Sequence, residues 1–268
     1  MSLATTTPGL LPPAAERELR DARQTLENPS LAARLASAAG MPVEALRARL
    51  PSFVQGGLDS AVRTALSTAM NAALRSGPKM TPLPVSSQWF HRGLAAASGA
   101  VGGAFGLPGT VVELPVSTTI LLRQVAAVAA EEGEDLDAPG AAAECLKVFA
   151  LGGTTPSDDA AESGYFAVRL ALAEALKGTI GQAAMPRFVA AVAARFSGTV
   201  GLKLSAQAAP IIGAAAGAAV NLAFLAHFRS IARAHFTLRR LERTYGATAV
   251  RAAWVALAES RDAPFLPD

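Results

Sequence analysis

Apolar positions recur along this chain at steps of three and four residues, the spacing of amphipathic helices rather than strands. Ala14–Glu27 is a charged helix that stops at Asn28-Pro29. Ser30 caps a short segment, Leu31–Ala39, ended by Gly40, and Pro42 suits the first turn of another that runs to Leu50. Ser52 opens a longer helix closed by Gly77-Pro78, with Leu58, Val62, Leu66, Ala69 and Ala73 along one side. After the proline-rich joint Lys79–Ser87, a helix is expected from Gly93 through Phe105. Further helices are expected over Thr110–Ala130, Ala141–Leu151, Ala160–Leu176, Arg187–Leu204, Asn221–Tyr245 and Ala247–Ser260. No period-two stretch bounded by hairpin turns interrupts them, so the fold class is all-α. The expected organisation is a flexible tail and short N-terminal helices over residues 1–51, one multi-helix domain over 52–260, and a short tail over 261–268.

Two runs stand apart because they hold no formal charge: Gly93–Val112 and Leu204–Phe228. The first is about long enough to cross a bilayer, which takes roughly 20 apolar residues, although six glycines and Pro108 make it a poor simple span. Both are built from alanine and glycine. Gly99, Gly102, Gly103 and Gly106 fall at three- and four-residue steps, and Gly213 and Gly217 are four apart. That spacing gathers them on one helix face, where the missing side chains let another backbone come close, inside a protein or in lipid. Composition agrees: 51% of residues are hydrophobic and 17% charged, against about 25% charged in soluble proteins. The net charge of +3 is weakly basic and says little about nucleic acid unless gathered on one face, and no nucleic-acid partner is expected. The single cysteine, Cys145, excludes an internal disulfide and suits a reducing compartment. The N-terminus has neither the basic start nor the unbroken apolar core of a signal peptide, which makes the expected location cytoplasmic.

The polar residues that sit among apolar ones are the candidates for chemistry. At about 100° per residue, Arg229, Arg233, Arg240 and Arg243 share a narrow sector of the late helix. Phe224, Ile231, Leu238 and Tyr245 lie roughly opposite. His227, His235 and Glu242 project with that apolar set, and Arg239 stands at its edge. A charge on a buried face must be paired, so His235, Arg239 and Glu242 are expected either to bond one another or to floor a pocket. Glu113 is the only formal charge between Arg92 and Arg123, near a helix start that favours a carboxylate. Thr119 and Arg123 follow it along the same helix. With Asn221, these residues (Glu113, Thr119, Arg123, His235, Arg239 and Glu242) make up the candidate ligand-binding set. The arginine sector is the candidate contact for lipid head groups. No metal and no cofactor are expected: the histidines are eight apart, no His-Glu-x-x-His or cysteine pair occurs, and no Gly-x-Gly-x-x-Gly or Gly-Lys-Ser/Thr is present. No Gly-x-Ser-x-Gly elbow presents a nucleophile.

The blocks ELPVSTTILLRQVAAVAAEEGED, CLKVFALGG and ESGYFAVRLALA resemble the EcsC family of bacteria, as do VAARFSGTVGLKLSAQAAPIIGAAAGAAVN and ARAHFTLRRLERTYG. The likeness spans about Trp89 to Ala253. It implies a helical architecture and a bacterial cytoplasmic or membrane-adjacent setting, and no reaction or cofactor follows from it. The function expected from residues and resemblance together is a non-catalytic helical protein that binds or accommodates lipid, peripheral at the inner face of the cytoplasmic membrane. Its expected partners are a membrane surface or lipid, or another membrane protein. Two alternatives are a hydrolase using Glu113, His235 and Glu242 in a pocket, and an accessory subunit of a transporter.

Overall fold

Helix ends fall where the sequence is punctuated. The protein, seen in a computed structural model, is described over residues 11–27, 31–48, 52–75, 114–138, 140–153, 164–176, 185–207 and 214–262. The described residues form helices α1 (Pro13–Glu27), α2 (Leu31–Ala39), α3 (Val43–Ala48), α4 (Ser52–Arg75) and α5 (residues 114–131), with no strand among them. Then come α6 (Ala141–Leu151), α7 (Gly164–Leu176), α8 (Met185–Gln207), α9 (Ala214–Tyr245) and α10 (Ala247–Asp262). The fold is a single all-α domain.

Gly40 shows how a boundary is set. Its φ of 64° is left-handed, and the amides of Gly40 and Met41 turn back to the carbonyls of Ser37 and Ala36. This closes α2 and satisfies the carbonyls of Ala36 and Ser37 in its last turn. Gly133, with φ 76°, ends α5 in the same way through the carbonyls of Ala130 and Ala129.

Two long helices form the centre. α8 packs against α4, α6, α7, α2 and α3, and α9 against α1, α2, α10, α6 and α8. Between them α6 is buried along nearly its whole length, from Cys145 to Leu151. Phe149, Phe196, Phe224 and Phe228 interlock at this junction with ring centroids 4.9–6.2 Å apart. In a chain so rich in alanine, these few large rings supply much of the buried area.

Two expectations change. The uncharged run Leu204–Phe228 is not one unit: α8 continues to Gln207, and α9 begins at Ala214 and runs 32 residues without a break. Hydropathy alone does not show that division, because both helix ends are equally apolar. The N-terminal helices α1 and α2 are also more than an appendage, since α9 is their main neighbour. Leu19, Leu31 and Leu35 are fully buried. The expected helix from Gly93 through Phe105 and the glycines Gly99, Gly102, Gly103 and Gly106 lie outside the described residues, as does Gly213.

Candidate functional site: a buried polar network between three helices

Steps of three and four residues bring charge into the core at one place. On α9, His235, Arg239 and Glu242 follow one face; on α7, Tyr165 and Arg169 do; on α6, Glu144 and Lys147 do. α6 packs against both α7 and α9, so the three polar faces meet. His235 is 0% exposed and Tyr165 6%. The Tyr165 hydroxyl lies 2.8 Å from His235 Nδ1, and His235 Nε2 faces Glu144 Oε2 at 3.6 Å, longer than a hydrogen bond. The carboxylate beside Nε2 favours the tautomer protonated there, so Tyr165 donates to Nδ1. Arg169 holds Glu242 through both carboxylate oxygens, at 2.8 and 3.0 Å, and its Nη1 reaches the Tyr165 oxygen at 3.5 Å.

Charges alternate outward from this centre. Glu144 accepts from Lys147 at 2.6 Å and faces Arg239 at 3.2 Å. Arg239 in turn donates to Glu134, in the connector after α5, at 2.8 Å. On the other side Tyr165 stacks on Trp254 of α10, 5.5 Å between centroids. Arg23 of α1 lies over that indole and donates to the Trp254 carbonyl. Burial by itself raises the Glu144 carboxyl, but His235, Lys147 and Arg239 outweigh it and hold the group down to about 2. Burial pushes the Tyr165 phenol up and keeps the His235 ring neutral by lowering it. Burial likewise raises the Cys145 thiol to about 12, helped by Glu144 and Glu134, so it is an inert packer.

A carboxylate, an imidazole and a phenol in line can hold or pass a proton. Closed off at His235 and Tyr165, the arrangement acts as a clamp joining α6, α7, α9 and the connector after α5. The expected grouping of His235, Arg239 and Glu242 is therefore drawn differently: each takes its partner from another element, and Glu242 goes to Arg169. Sequence reasoning missed Glu144, Tyr165 and Arg169. The available signal was charge isolated in apolar helix, since Arg169 is the only formal charge between Glu162 and Glu174.

The remaining candidates are scattered. Glu113 lies outside the described residues. The Thr119 hydroxyl donates to the Pro115 carbonyl one turn back, and Arg123 is exposed. Asn221 and Gly217 are buried on α9. Of the arginine sector, Arg233 pairs with Glu131 and Glu132, Arg240 with Glu132 and Glu18, and Arg243 with Glu134. Arg229 is half-buried. Among the described residues, no three His, Cys, Asp or Glu side chains are grouped so as to hold a metal ion. One helix, Ala215–Tyr245, is long and apolar enough to cross a membrane by length and composition, and half of its most apolar window is buried within the fold. Core helices of soluble proteins meet the same test.

No curated protein and no solved structure matches the chain. The model of the EcsC protein family matches residues 14–241 and so takes in the N-terminal helices ahead of Trp89, where the likeness read from the sequence begins. The match covers the sequence from α1 to nearly the end of α9, and the chain belongs to the EcsC protein family.

Proposed function

We propose that this chain is a non-catalytic helical protein that associates with a membrane and accommodates lipid. One observation carries it. From Ala215 to Ala226 on α9 the exposed and half-exposed positions are all apolar: Ala215, Ala216, Ala218, Ala219, Leu222, Ala223 and Ala226. Ala215, Ala219, Leu222 and Ala226 fall in one sector, at about 100° per residue. An uncharged stripe more than ten residues long on the surface of a helix suits lipid or an apolar partner better than water. The arginines that continue the sector are mostly spent on carboxylates of the same chain, so the apolar stripe supports the proposal more than the basic one does. The hydrolase alternative gains nothing from the geometry, because His235 has no exposure and Glu242 is held by Arg169.

Flotation with vesicles of phosphatidylglycerol and phosphatidylethanolamine tests the proposal. The wild-type chain is expected to float. Ala215→Glu combined with Ala226→Glu, both at exposed positions, is expected to sink it without lowering its melting temperature. A chain that stays at the bottom of the gradient refutes membrane association, and its recovery with another membrane protein would favour the accessory-subunit alternative.

A further inference from the structure

The last two turns of α8 are buried on every side, from Thr199 to Gln207, yet four of these nine residues are polar. Ser205 is accounted for, since its hydroxyl donates to the Gly201 carbonyl one turn back. Thr199 and Gln207 are not. The Thr199 hydroxyl, in a residue with 0% exposure, has no hydrogen-bond partner, and neither the oxygen nor the nitrogen of the Gln207 amide has one at 5% exposure. Buried polar atoms are nearly always satisfied in folded proteins, so three orphaned atoms on one short stretch call for an occupant.

Helix geometry puts these atoms in line. Thr199, Lys203 and Gln207 are four residues apart and share one face of α8. Lys203 is 1% exposed, and its ammonium lies 5.4 Å from the centre of the Phe224 ring on α9. Thr199 stands beside Gly153, the bare backbone after α6. Buried apolar side chains lie close by: Val200 and Leu204 on α8, and Phe224 on α9, which packs against Phe196 of α8. A few donors on an apolar wall are the features of a site for a molecule with one polar end and one apolar body.

We propose that Thr199, Lys203 and Gln207 form the polar end of a binding site for a single-chain amphiphile with an oxyanion head, a carboxylate or a phosphate. The Thr199 hydroxyl, the Gln207 amide nitrogen and the Lys203 ammonium donate to head-group oxygens, and the Gln207 oxygen accepts from a head-group hydroxyl. The acyl chain lies along the apolar sides of α8 and α9. This rests on the lipid-accommodating role above and names the ligand and the residues that take it.

The test uses the full chain, stripped of bound lipid and titrated calorimetrically with two probes below their micelle concentrations: palmitate and 1-palmitoyl lysophosphatidate. The wild-type chain is expected to bind at least one. Binding of palmitate alone assigns a carboxylate head and binding of lysophosphatidate alone a phosphate; either supports the site. Gln207→Leu and Thr199→Val are each expected to weaken binding at least about tenfold. Neither should lower the melting temperature of the lipid-free protein, because each removes an unpaired polar atom. Thr64→Val, on an exposed face of α4, should bind as wild type does. If Gln207→Leu does not fold, Thr199→Val decides alone. Failure of both probes to bind wild type, as expected if the polar stripe holds only water, overturns the inference, and so do variants that bind as tightly as wild type. Flotation separates the two proposals. A chain that floats but takes up neither probe keeps membrane association and loses this site; one that takes up a probe without floating does the reverse.

Discussion

The two halves of α9 present the same face of one helix to opposite fates. Along Ala215, Ala219, Leu222 and Ala226 that face is apolar and at least half-exposed, and along Arg233 and Arg240 it is basic and paired with Glu131 and Glu132 at the end of α5 and with Glu18 of α1. On the inner side, the first half packs Phe224 and Phe228 into the aromatic cluster, while the second half buries His235 and stakes Arg239 and Glu242 on other helices. The first half is held mainly by area and shape, with His227 anchored to the Gly152 carbonyl near its end. The second half is held by directed pairs, which fix rotation and register. On the function proposed above, the gripped end would hold the fold while the apolar outer face of the other end meets lipid.

The largest expected effect breaks the gripped half. Glu242→Ala leaves Arg169 mostly buried without its anion, a loss of about 3–5 kcal/mol. Chemical denaturation should show it, and a loss under about 1 kcal/mol would mean that Arg169 re-pairs or reaches water.

Acid should loosen both halves in sequence. Burial holds the His227 ring, whose Nε2 lies 2.9 Å from the Gly152 carbonyl, down to about 4 from an ordinary 6.5. The unfolded ring therefore takes up its proton first, and stability falls as pH drops from 6.5 to 4, by on the order of 3 kcal/mol at most. Glu144, depressed from 4.5 to about 2, contributes fully above 4.5 and is lost as pH falls from 4.5 toward 2. Melting curves across this range should show two declines, and His227→Gln should make the upper one shallower, the buried His235, also lowered, supplying the remainder. An unchanged slope between pH 6.5 and 4 in that variant would assign the decline to other groups.

A packing test sharpens the boundary between the halves. A Cβ on Gly152 would collide with the Phe228 ring. Gly152→Ala should therefore cost about 1–3 kcal/mol through overpacking. Gly198, with open space around it, offers a matched control. Equal stability of the two alanine variants would mean that Phe228 has room to turn aside.

The smallest effects belong to the half-exposed arginines of this sector. Arg233 is about half exposed, and Arg233→Ala should cost less than about 1 kcal/mol, shrinking further in high salt. Arg229→Ala should change stability by less still. A larger loss at either position would show that the roof of carboxylates contributes as a network.

Much of the fold was legible in the sequence because helix ends carry local chemistry. Leu31–Ala39 and Ala141–Leu151 were placed to the residue, each bounded by glycine. The faces of the late helix were legible for the same reason: 3.6 residues per turn fixes that His227 and His235 point inward, whatever they meet. The partners were not. Glu242 and Arg169 are 73 residues apart, Arg239 and Glu134 105, and Arg23 and the Trp254 carbonyl 231. No spacing rule links positions that far apart.

The sequence by itself determined that this chain is helical, where most helices begin and end, that it carries an uncharged alanine-rich stretch, and to which family it belongs. These follow from short-range rules of capping, periodicity and composition. Only the tertiary structure decided which carboxylate meets which arginine, that α1 and α2 brace α9, and that Thr199 and Gln207 are left unpaired in the core. The reason is physical: a side chain's energy depends on what surrounds it in space, and the surroundings of a buried charge come from other helices.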